Sequence, residues 1–375
     1  MKTHLIFNVR RLIKKINSKT EFYEIIQEKE MLNITKKYKN KKGRPFSLNL
    51  PSKILVSPEV IGLIVGEGYI GSRNFVFANS NDKAISEVIN FLKQFNLPIK
   101  MYLEISMKNK GEGFENECRG FWENYFKREL KRMRIRLRKE FDSITPHGTL
   151  HLTINNSLVA KLLREIIRIS KIKIENNQQL SISYLRGIIA AEGNINIKKS
   201  TNCVYMIRIS ATKQEERDHY KRCLEKSGLK IYCKDMPTVS KIEAKSRGWK
   251  TDTGRAGAVI ISRWENFIKA YELGLLNLHN DKKTKFLQHF FNNKFTRQFM
   301  DFKYFLNKEF TMKEAQIHFR FKSRNLNRVA TLCQQGYLSI RKINQVKFLY
   351  KLTDKYLKLY NKLNEEKPTS RPIAQ

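Results

Sequence analysis

Two stretches of the sequence decide the fold: SPEVIGLIVGEGYI at Ser57–Ile70 and SYLRGIIAAEGNINI at Ser183–Ile197. Each is an apolar segment that runs into an acid, a glycine and then a strand-like segment. Glu67 occupies the same place in the first stretch as Glu192 does in the second. The chain therefore contains one motif twice, and we predict a helix leading into a strand at both places.

Residues at the ends of the first stretch mark the limits of its helix. Ser57 is a preferred N-cap residue, and Pro58 is favoured at the first helical position. We predict that the helix ends at Gly68, with this glycine in the left-handed conformation that only glycine adopts without cost.

Small residues recur along one face of each predicted helix. Gly62 and Gly66 lie four residues apart in the first, and Gly187 and Ala191 occupy the same places in the second. Small side chains at this spacing allow two helix backbones to approach closely. We therefore predict that the two helices pack against each other.

The two acids occupy an unfavourable position for a carboxylate. Glu67 and Glu192 each precede the glycine that follows the helix, where the negative end of the helix dipole costs roughly 0.3–1 kcal/mol per carboxylate. Packing the helices together adds the repulsion between the two charges. Divalent cations bound between the acids would reverse both penalties, so the pair indicates a metal site. The alternative is helix packing with coincidental acids.

The segments that follow the two motifs also recur in the same order. FVFANS and VYMIRISATK are strand-like, and each precedes a helical segment, DKAISEVINFLKQFNL or EERDHYKRCLEKSGL. PIKMYLEI and KIYCKD come next as strands. TLHLTINNSLVAKLLREI at 149–166 and AVIISRWENFIKAYEL at 258–273 each run from strand to helix. We infer a duplicated α+β unit.

LIVGEGYI and IIAAEGNI resemble the eponymous motif of the LAGLIDADG homing endonucleases, over about residues 55–293. The resemblance implies a pseudosymmetric monomer of two αββαββα halves, whose motif helices form the interface and whose sheets form a DNA-binding saddle. It implies that Glu67 and Glu192, with the carbonyls of Gly66 and Ala191, bind Mg²⁺ (or Mn²⁺). The bound metals would activate water to cut one phosphodiester in each strand of double-stranded DNA.

One departure from this family bears on catalysis. Active members often place a lysine near the strand before each closing helix, whereas TLHLTIN and AVIISR contain none. The nearest polar residues are His151, Arg255 and Arg263. A sequence-specific DNA endonuclease is the expected activity. The alternatives are a non-catalytic DNA-binding transcription regulator on the same scaffold and an RNA maturase that assists intron splicing.

The charge of the chain indicates a polyanionic partner. Its 375 residues include 73 Lys and Arg against 35 Asp and Glu, a net charge of +38. Nucleic acid is favoured over an anionic membrane because no basic amphipathic anchor with a broad apolar face is evident.

The segment at Met133–Arg138 alternates apolar residues with Arg134, Arg136 and Arg138, which predicts a strand with an all-arginine face. A helix over Phe126–Arg138 is the alternative. The residues expected to contact DNA are Arg134, Arg136, Arg138, Lys198, Arg208, Lys241, Lys245, Arg247, Arg324 and Arg328.

The C-terminal segment differs in character from the repeats. Thr311 and Glu314 form a capping-box pattern, and a second short helix is expected to end at Gly336. YLSIRKI and VKFLYKLT alternate as a hairpin, and a last helix follows. The order resembles a winged helix-turn-helix with its recognition helix at about Ser323–Gln335. A helical cap packed on the core is the alternative.

We therefore predict an α+β protein in four parts: a basic N-terminal helical arm at 1–54 with a helix at about Lys19–Lys36, LAGLIDADG repeats at 55–175 and 176–293, and a winged-helix-like domain at 294–375. The sequence contains no long apolar run, its first residues have charges throughout, and its five cysteines form no C-x-x-C pair. We expect no membrane span, signal peptide, disulfide framework, zinc site or obligate protein partner. The expected location is the cytoplasm, with the nucleoid, or an organellar matrix.

Overall fold

The computed structural model of the chain describes residues 3–17, 21–38, 46–108, 110–111, 113–126, 134–142, 145–211, 213–235, 257–320, 326–345 and 347–367. In these residues the chain is a mixed α+β protein with 13 α-helices and several sheets. Four of the predicted DNA-contacting residues, Lys241, Lys245, Arg247 and Arg324, lie outside the described residues. The side chain of Arg328 is likewise not described. Within the described part of the chain, none of the helices has both the length and the apolar content that a membrane span requires.

The N-terminal segment is mainly β-structure, and the predicted helix at about Lys19–Lys36 is wrong. Aromatic and β-branched residues are frequent here, which favours strands, and the chain turns at Lys29 with a φ of 56°. The hairpin pairs Ile25 with Ile34. Its elements are β1 (Leu5–Asn8), α1 (Val9–Ile16), β2 (Glu21–Glu28), β3 (Met31–Tyr38), β4 (Phe46–Pro51) and β5 (Lys53–Val56).

The first repeat has the predicted element order, with one insertion. Its elements are α2 (Pro58–Glu67), β6 (Gly68–Ile70), β7 (Phe75–Asn79), α3 (Asp82–Leu92), β8 (Lys100–Lys108), the inserted α4 (Phe114–Tyr125) and β9 (Arg134–Asp142), then β10 (Thr149–Ile154) and α5 (Ser157–Glu175). The strand predicted through the arginine segment is confirmed as β9, which pairs in parallel with β8. A parallel pair needs a crossover connection, and α4 lies within it.

In the described residues the second repeat has the same element order. Its elements are α6 (Gln178–Glu192), β11 (Gly193–Lys198), β12 (Cys203–Ala211), α7 (Gln214–Lys226), β13 (Tyr232–Asp235), β14 (Gly257–Ile261) and α8 (Trp264–Glu272). Its sheet has the strand order β11-β12-β14-β13, and the first sheet has β6-β7-β10-β8 with β9 added at its edge. If the four strands common to the repeats are numbered along the chain within each repeat, with β9 left out, the strand order of both sheets is 1-2-4-3. The duplicated α+β unit inferred from the sequence therefore occurs in the fold, and its described elements have the αββαββα order that the family resemblance implies.

The predicted helix limits are confirmed at both ends, but the left-handed conformation predicted for Gly68 is wrong. The Ser57 hydroxyl accepts the Val60 N–H at 3.2 Å. Gly68 is extended, with φ −90° and ψ 139°, because the chain passes directly into β6. Glycine is required here for space instead, since a β-carbon at Gly68 would overlap the Ile64 carbonyl oxygen. Gly193 has the same conformation and the same restriction against Ile189.

The C-terminal segment consists of short helices and a three-stranded sheet ordered β15-β17-β16. The capping box of Thr311 and Glu314 is confirmed. Gly336 follows a short helix, as predicted, and its own φ is 76°. A winged helix-turn-helix remains a prediction. The elements are α9 (Asn280–Phe290), α10 (Lys294–Asp301), β15 (Phe310–Thr311), α11 (Met312–Phe319), α12 (Leu326–Gln334), β16 (Leu338–Lys342), β17 (Phe348–Leu352) and α13 (Asp354–Glu365).

The chain divides into two compact units. The first unit contains Met1–Gly193, Ile209–Val259 and Leu275–His279, and the second contains Asn194–Arg208, Ile260–Gly274 and Asn280–Gln375. Both motif helices, α2 and α6, belong to the first unit, together with the whole first repeat. The predicted domain boundaries near 54, 175 and 293 remain a prediction.

Candidate active site and nucleic-acid interface

Helices α2 and α6 are in direct backbone contact, as the small residues predicted. A β-carbon at Gly62 would overlap the carbonyl oxygen of Tyr184 and lie 2.8 Å from the Ile188 nitrogen. A β-carbon at Gly187 would overlap the Glu59 carbonyl oxygen. Gly62 meets Tyr184 and Ile188, and Gly66, one turn later in α2, meets Ala191, about one turn later in α6. The two helices therefore run parallel. Their C-terminal ends therefore meet at one place.

The acid-bearing ends of these helices adjoin each other. A β-carbon at Gly66 would lie 2.5 Å from the Ala191 β-carbon and 3.2 Å from Cγ of Glu192. Glu67 and Glu192 are the last helical residues of α2 and α6, as predicted. Glu67 is exposed and Glu192 is half-buried. The side chains of Glu67 and Glu192 thus start from neighbouring backbone positions.

One ion pair fixes the register of the helix pair. Arg186 of α6 donates from Nη1 to Oε1 of Glu59, in the first turn of α2, at 3.1 Å. The Glu59 side chain is only 10% exposed, so this contact is partly shielded from solvent. Because the pair joins the first turn of α2 to the middle of α6, it holds the two helices in register.

The donor set at the helix ends suits Mg²⁺. Carboxylate oxygens and backbone carbonyls are hard ligands, and Mg²⁺ sites commonly use one or two carboxylates plus water and substrate phosphate. In the described residues no group of three or more His, Cys, Asp and Glu is placed to hold a metal ion. Glu67, Glu192 and the carbonyls of Gly66 and Ala191 are donors of the kind that Mg²⁺ prefers, and their role as metal ligands remains a prediction.

The first sheet presents one polar face and one buried apolar face. Leu103 and Leu150 are completely buried on the apolar face. On the other, polar face, the strand register places Tyr102 of β8 between Arg134 of β9 and His151 of β10. The residues that share this polar face are Lys100, Tyr102, Glu104, Ser106, Arg134, Arg136, Arg138, Thr149, His151 and Thr153. The predicted arginine row therefore lies on the face that the core does not use.

Glu104 organises the arginines of β9. Its carboxylate lies 3.0 Å from Nε of Arg138 and 3.7 Å from Nη1 of Arg136, and its side chain is only 15% exposed. Arg134 and Arg136 remain exposed. Sequence reasoning missed Glu104, Tyr102 and the position of His151. The alternation of polar residues in KMYLEISMK and TLHLTI was the signal that could have found them.

His151 is enclosed within this polar face. Its ring stacks on Tyr102, with centroids 4.2 Å apart, and its Nε2 is buried without a hydrogen-bond partner among the described residues. Burial lowers the pKa of His151, the Glu104 carboxylate acts in the opposite direction, and the arginines Arg138 and Arg136 lower it again. The imidazole is therefore neutral near pH 7.

The pKa of His151 predicts a pH dependence of folding. Because the folded protein binds this proton less readily than the unfolded chain does, the contribution is fully present above the unfolded pKa of about 6.5 and is lost as the pH falls below it. We expect His151→Gln to lose less free energy of unfolding than the wild type between about pH 7 and about pH 5. Urea denaturation at the two pH values measures this. His219, whose pKa burial also lowers, is present in both proteins, so identical pH dependences would contradict the assignment to His151.

The second repeat places two of the predicted DNA-contacting residues. Lys198 is exposed at the end of β11. Arg208 is half-buried on β12, between the buried Ile207 and Ile209, and its Nε is buried without a hydrogen-bond partner in the described part of the chain. The side chain of Arg208 therefore leaves the strand on the face opposite the isoleucines.

No protein-family model and no curated protein sequence matches this chain. Solved LAGLIDADG domains are similar to part of it. One is the N-terminal LAGLIDADG domain of DUF199/WhiA, at 14% identity and a TM-score of 0.34, over 58% of this chain and 81% of that chain. Mesophilic variants of the homing endonuclease I-DmoI have 11% identity and a TM-score of 0.34, over 59% of this chain and 94% of that chain.

A structure of I-DmoI in complex with DNA and Mn has 12% identity and a TM-score of 0.33, over 58% of this chain and 94% of that chain. TM-scores this low carry no conclusion about activity. What this chain binds and does has to be inferred from its own residues.

Proposed function

We propose that this chain is a sequence-specific double-stranded DNA endonuclease that acts as a monomer and requires Mg²⁺ or Mn²⁺. The observation that carries the proposal is the parallel contact of α2 and α6, which brings Glu67 and Glu192 to adjoining helix ends. Two carboxylates in this position are unfavourable without a cation and are suited to hold one. The sheets of the two repeats also share one strand order, as a duplicated unit requires.

In this proposal one set of residues binds the metal and another set binds the DNA. Glu67, Glu192 and the carbonyls of Gly66 and Ala191 would hold the metal, which supplies an activated water and neutralises charge on the phosphodiester. The polar face of the first sheet would bind the duplex, with Arg134 exposed for phosphates or guanine edges. By the resemblance to the LAGLIDADG family, this face would lie in the major groove.

Cleavage of a randomised double-stranded DNA library by the purified protein, with Mg²⁺ or Ca²⁺, tests the proposal. Discrete products at one long site with Mg²⁺, and binding without cutting with Ca²⁺, are expected. Selection of structured RNA in place of duplex DNA would contradict it and favour a maturase.

A non-catalytic DNA-binding regulator is the second candidate, because neither closing strand offers a lysine. β10 reads TLHLTI, and β14 reads GAVII without any polar side chain. The short helices and hairpin of the C-terminal segment would form the winged helix-turn-helix of such a protein. Duplex DNA that is selected and bound but never cut with Mg²⁺ or Mn²⁺ would favour this function.

We expect Arg136→Ala to weaken DNA binding under either candidate. Arg136 is exposed and lies in the middle of the β9 arginine row. Its Nη1 lies 3.7 Å from Oε2 of Glu104. Loss of one phosphate contact reduces the slope of log affinity against log salt concentration by about one. Fluorescence anisotropy over a series of salt concentrations measures the slope. Lys226→Ala, an exposed cation at the end of α7 in the helix layer, is the matched control and should leave the slope unchanged.

A further inference from the structure

Each repeat contains a basic cleft that the proposed active site does not use. The first cleft, of about 1040 Å³, lies within the first unit. The second cleft, of about 670 Å³, lies within the second unit. Neither cleft is lined by Glu67, Glu192 or the β9 arginines.

The two clefts occupy equivalent places in the two repeats. The first is lined by the β6–β7 turn at residues 72–74 and by the β10–α5 junction at residues 155–157. The second is lined by the β11–β12 connection and the start of β12, between residues 198 and 205, and by the β14–α8 junction at residues 262–265. In both cases the first hairpin of the repeat faces the start of its closing helix. The equivalence follows from the duplicated topology.

The third wall of each cleft comes from a segment added to the repeats. In the first cleft it is the N-terminal sheet, fixed to α5 by Lys161, whose Nζ lies 2.5 Å from Oε2 of Glu21. In the second cleft it is the start of α10, fixed to α8 by Trp264, whose Nε1 donates to Oγ1 of Thr296 at 3.1 Å. Each added segment therefore contacts the closing helix of a repeat, and the cleft lies beside the residue that makes this contact, Lys161 or Trp264.

The charges of the two clefts also match. Among the described residues, each is lined by three cations and one acid. The residues are Lys36, Arg73, Lys161 and Glu21 in the first cleft, and Lys198, Arg263, Lys294 and Glu265 in the second. The described lining residues therefore give each cleft a formal charge of +2. Hydroxyl and amide side chains, such as those of Ser72 and Asn155, add hydrogen-bond donors of the kind that contact phosphate oxygens.

The first cleft retains its positive charge despite its acid. Glu21 lies 3.0 Å from Nζ of Lys36, which is 4% exposed, and also pairs with Lys161. One carboxylate is thus shared between two ammonium groups, while Arg73 is exposed at the hairpin turn. The turn itself is held in place because Arg164 donates to the carbonyl of Gly71 at 2.5 Å.

The second cleft has a strained cation at the corresponding junction. Arg263 has a φ of 72° and a ψ of 147°, a region that residues with a β-carbon rarely adopt. Its side chain is exposed on the cleft wall. The facing turn is held by Asn292, which donates to the carbonyl of Asn202 at 2.9 Å. Both clefts thus combine a braced turn with an exposed arginine.

We propose that each cleft binds backbone phosphates of the duplex that its own repeat contacts, so that the added N-terminal and C-terminal segments lengthen the DNA footprint of the two repeats. This inference rests on the proposed binding of duplex DNA but not on its cleavage. Open clefts of several hundred cubic ångströms with matched charge suit a polymeric phosphate backbone, whose many contacts add together.

Phosphate-ethylation interference on a DNA site selected by binding tests the inference. The variants are Arg73→Gln for the first cleft and Lys294→Gln for the second, and both residues are exposed. Each variant should remove one separate cluster of required phosphates, outside the cluster that Arg136→Ala affects. Each should also lower the log–log salt slope by about one. Lys226→Gln is the matched control, and equal thermal midpoints show that every variant is folded.

Two results separate failure of this inference from failure of the proposed function. If both variants give the wild-type interference pattern while Arg136→Ala alters it, the clefts do not bind phosphate and the proposed DNA binding stands. If the wild type selects no duplex DNA, or selects structured RNA instead, both proposals fail.

Discussion

Double-strand cleavage by the Glu67→Gln variant is expected to fall by roughly 10²–10³-fold, because the site loses one of the two charges that hold the metal at the phosphodiester. DNA binding should persist, since Glu67 lies at the end of α2 and not on the polar face of the sheet. Glu192→Gln should have an effect of the same order. Product analysis on a supercoiled plasmid that carries the target distinguishes loss of cutting from conversion to single-strand nicking.

The matched control for this prediction is Glu225→Gln. Glu225 is also an exposed carboxylate near the C-terminal end of a helix, α7, but it belongs to neither of the two motif helices. Its replacement should leave cleavage unchanged. Normal double-strand cleavage by Glu67→Gln would exclude the proposed metal site.

Metal binding gives a second measurement that does not depend on activity. Added Ca²⁺ should raise the thermal midpoint of the wild type, since a ligand that binds only the folded state stabilises it. The rise should be absent in the double variant Glu67→Gln/Glu192→Gln.

Replacing Gly187 by alanine is expected to destabilise the first unit by about 3 kcal/mol, the upper end of the usual cost of overpacking. The added methyl group would overlap the carbonyl oxygen of Glu59, which is backbone and cannot rotate away as a flexible side chain can. Helices α2 and α6 would have to move apart, which would also separate the acid-bearing ends. Chemical denaturation measures the loss of stability.

Gly120 of α4 provides the control for this second prediction. It also lies in the interior of a helix, but a β-carbon there would have no neighbour within 4 Å among the described residues. Gly120→Ala should therefore stabilise the protein by roughly 0.5–1 kcal/mol, the ordinary gain from replacing glycine in a helix. Equal effects of the two substitutions would show that helix propensity, and not contact between α2 and α6, determines the result.

The sequence was sufficient where one local pattern had one physical solution. The small residues at Gly62 and Gly187 predicted the helix contact because only glycine leaves room for a second backbone. Arginines at alternate positions predicted strand β9, and Thr311 with Glu314 predicted a capped helix. Each of these predictions depends on neighbours a few residues apart.

Predictions failed where a local pattern allowed two conformations. Gly68 can end a helix in the left-handed conformation or continue into a strand, and the pairing of β6 with β7 selects the strand. The segment before residue 38 has both helical and alternating periodicity, and the pairing of Ile25 with Ile34 selects a hairpin. Strand pairing is a contact between distant segments, so periodicity alone cannot decide it.

The sequence by itself determined the duplicated motif, the two acids and the basic character of the chain, because composition and spacing are properties of neighbouring residues. Only the tertiary structure decided that Glu104 holds Arg138, that His151 stacks on Tyr102, and that the added segments complete two equivalent basic clefts. The physical reason is distance along the chain. Glu21 and Lys161 are 140 positions apart in sequence, yet an ion pair joins them, and no local pattern records such a contact.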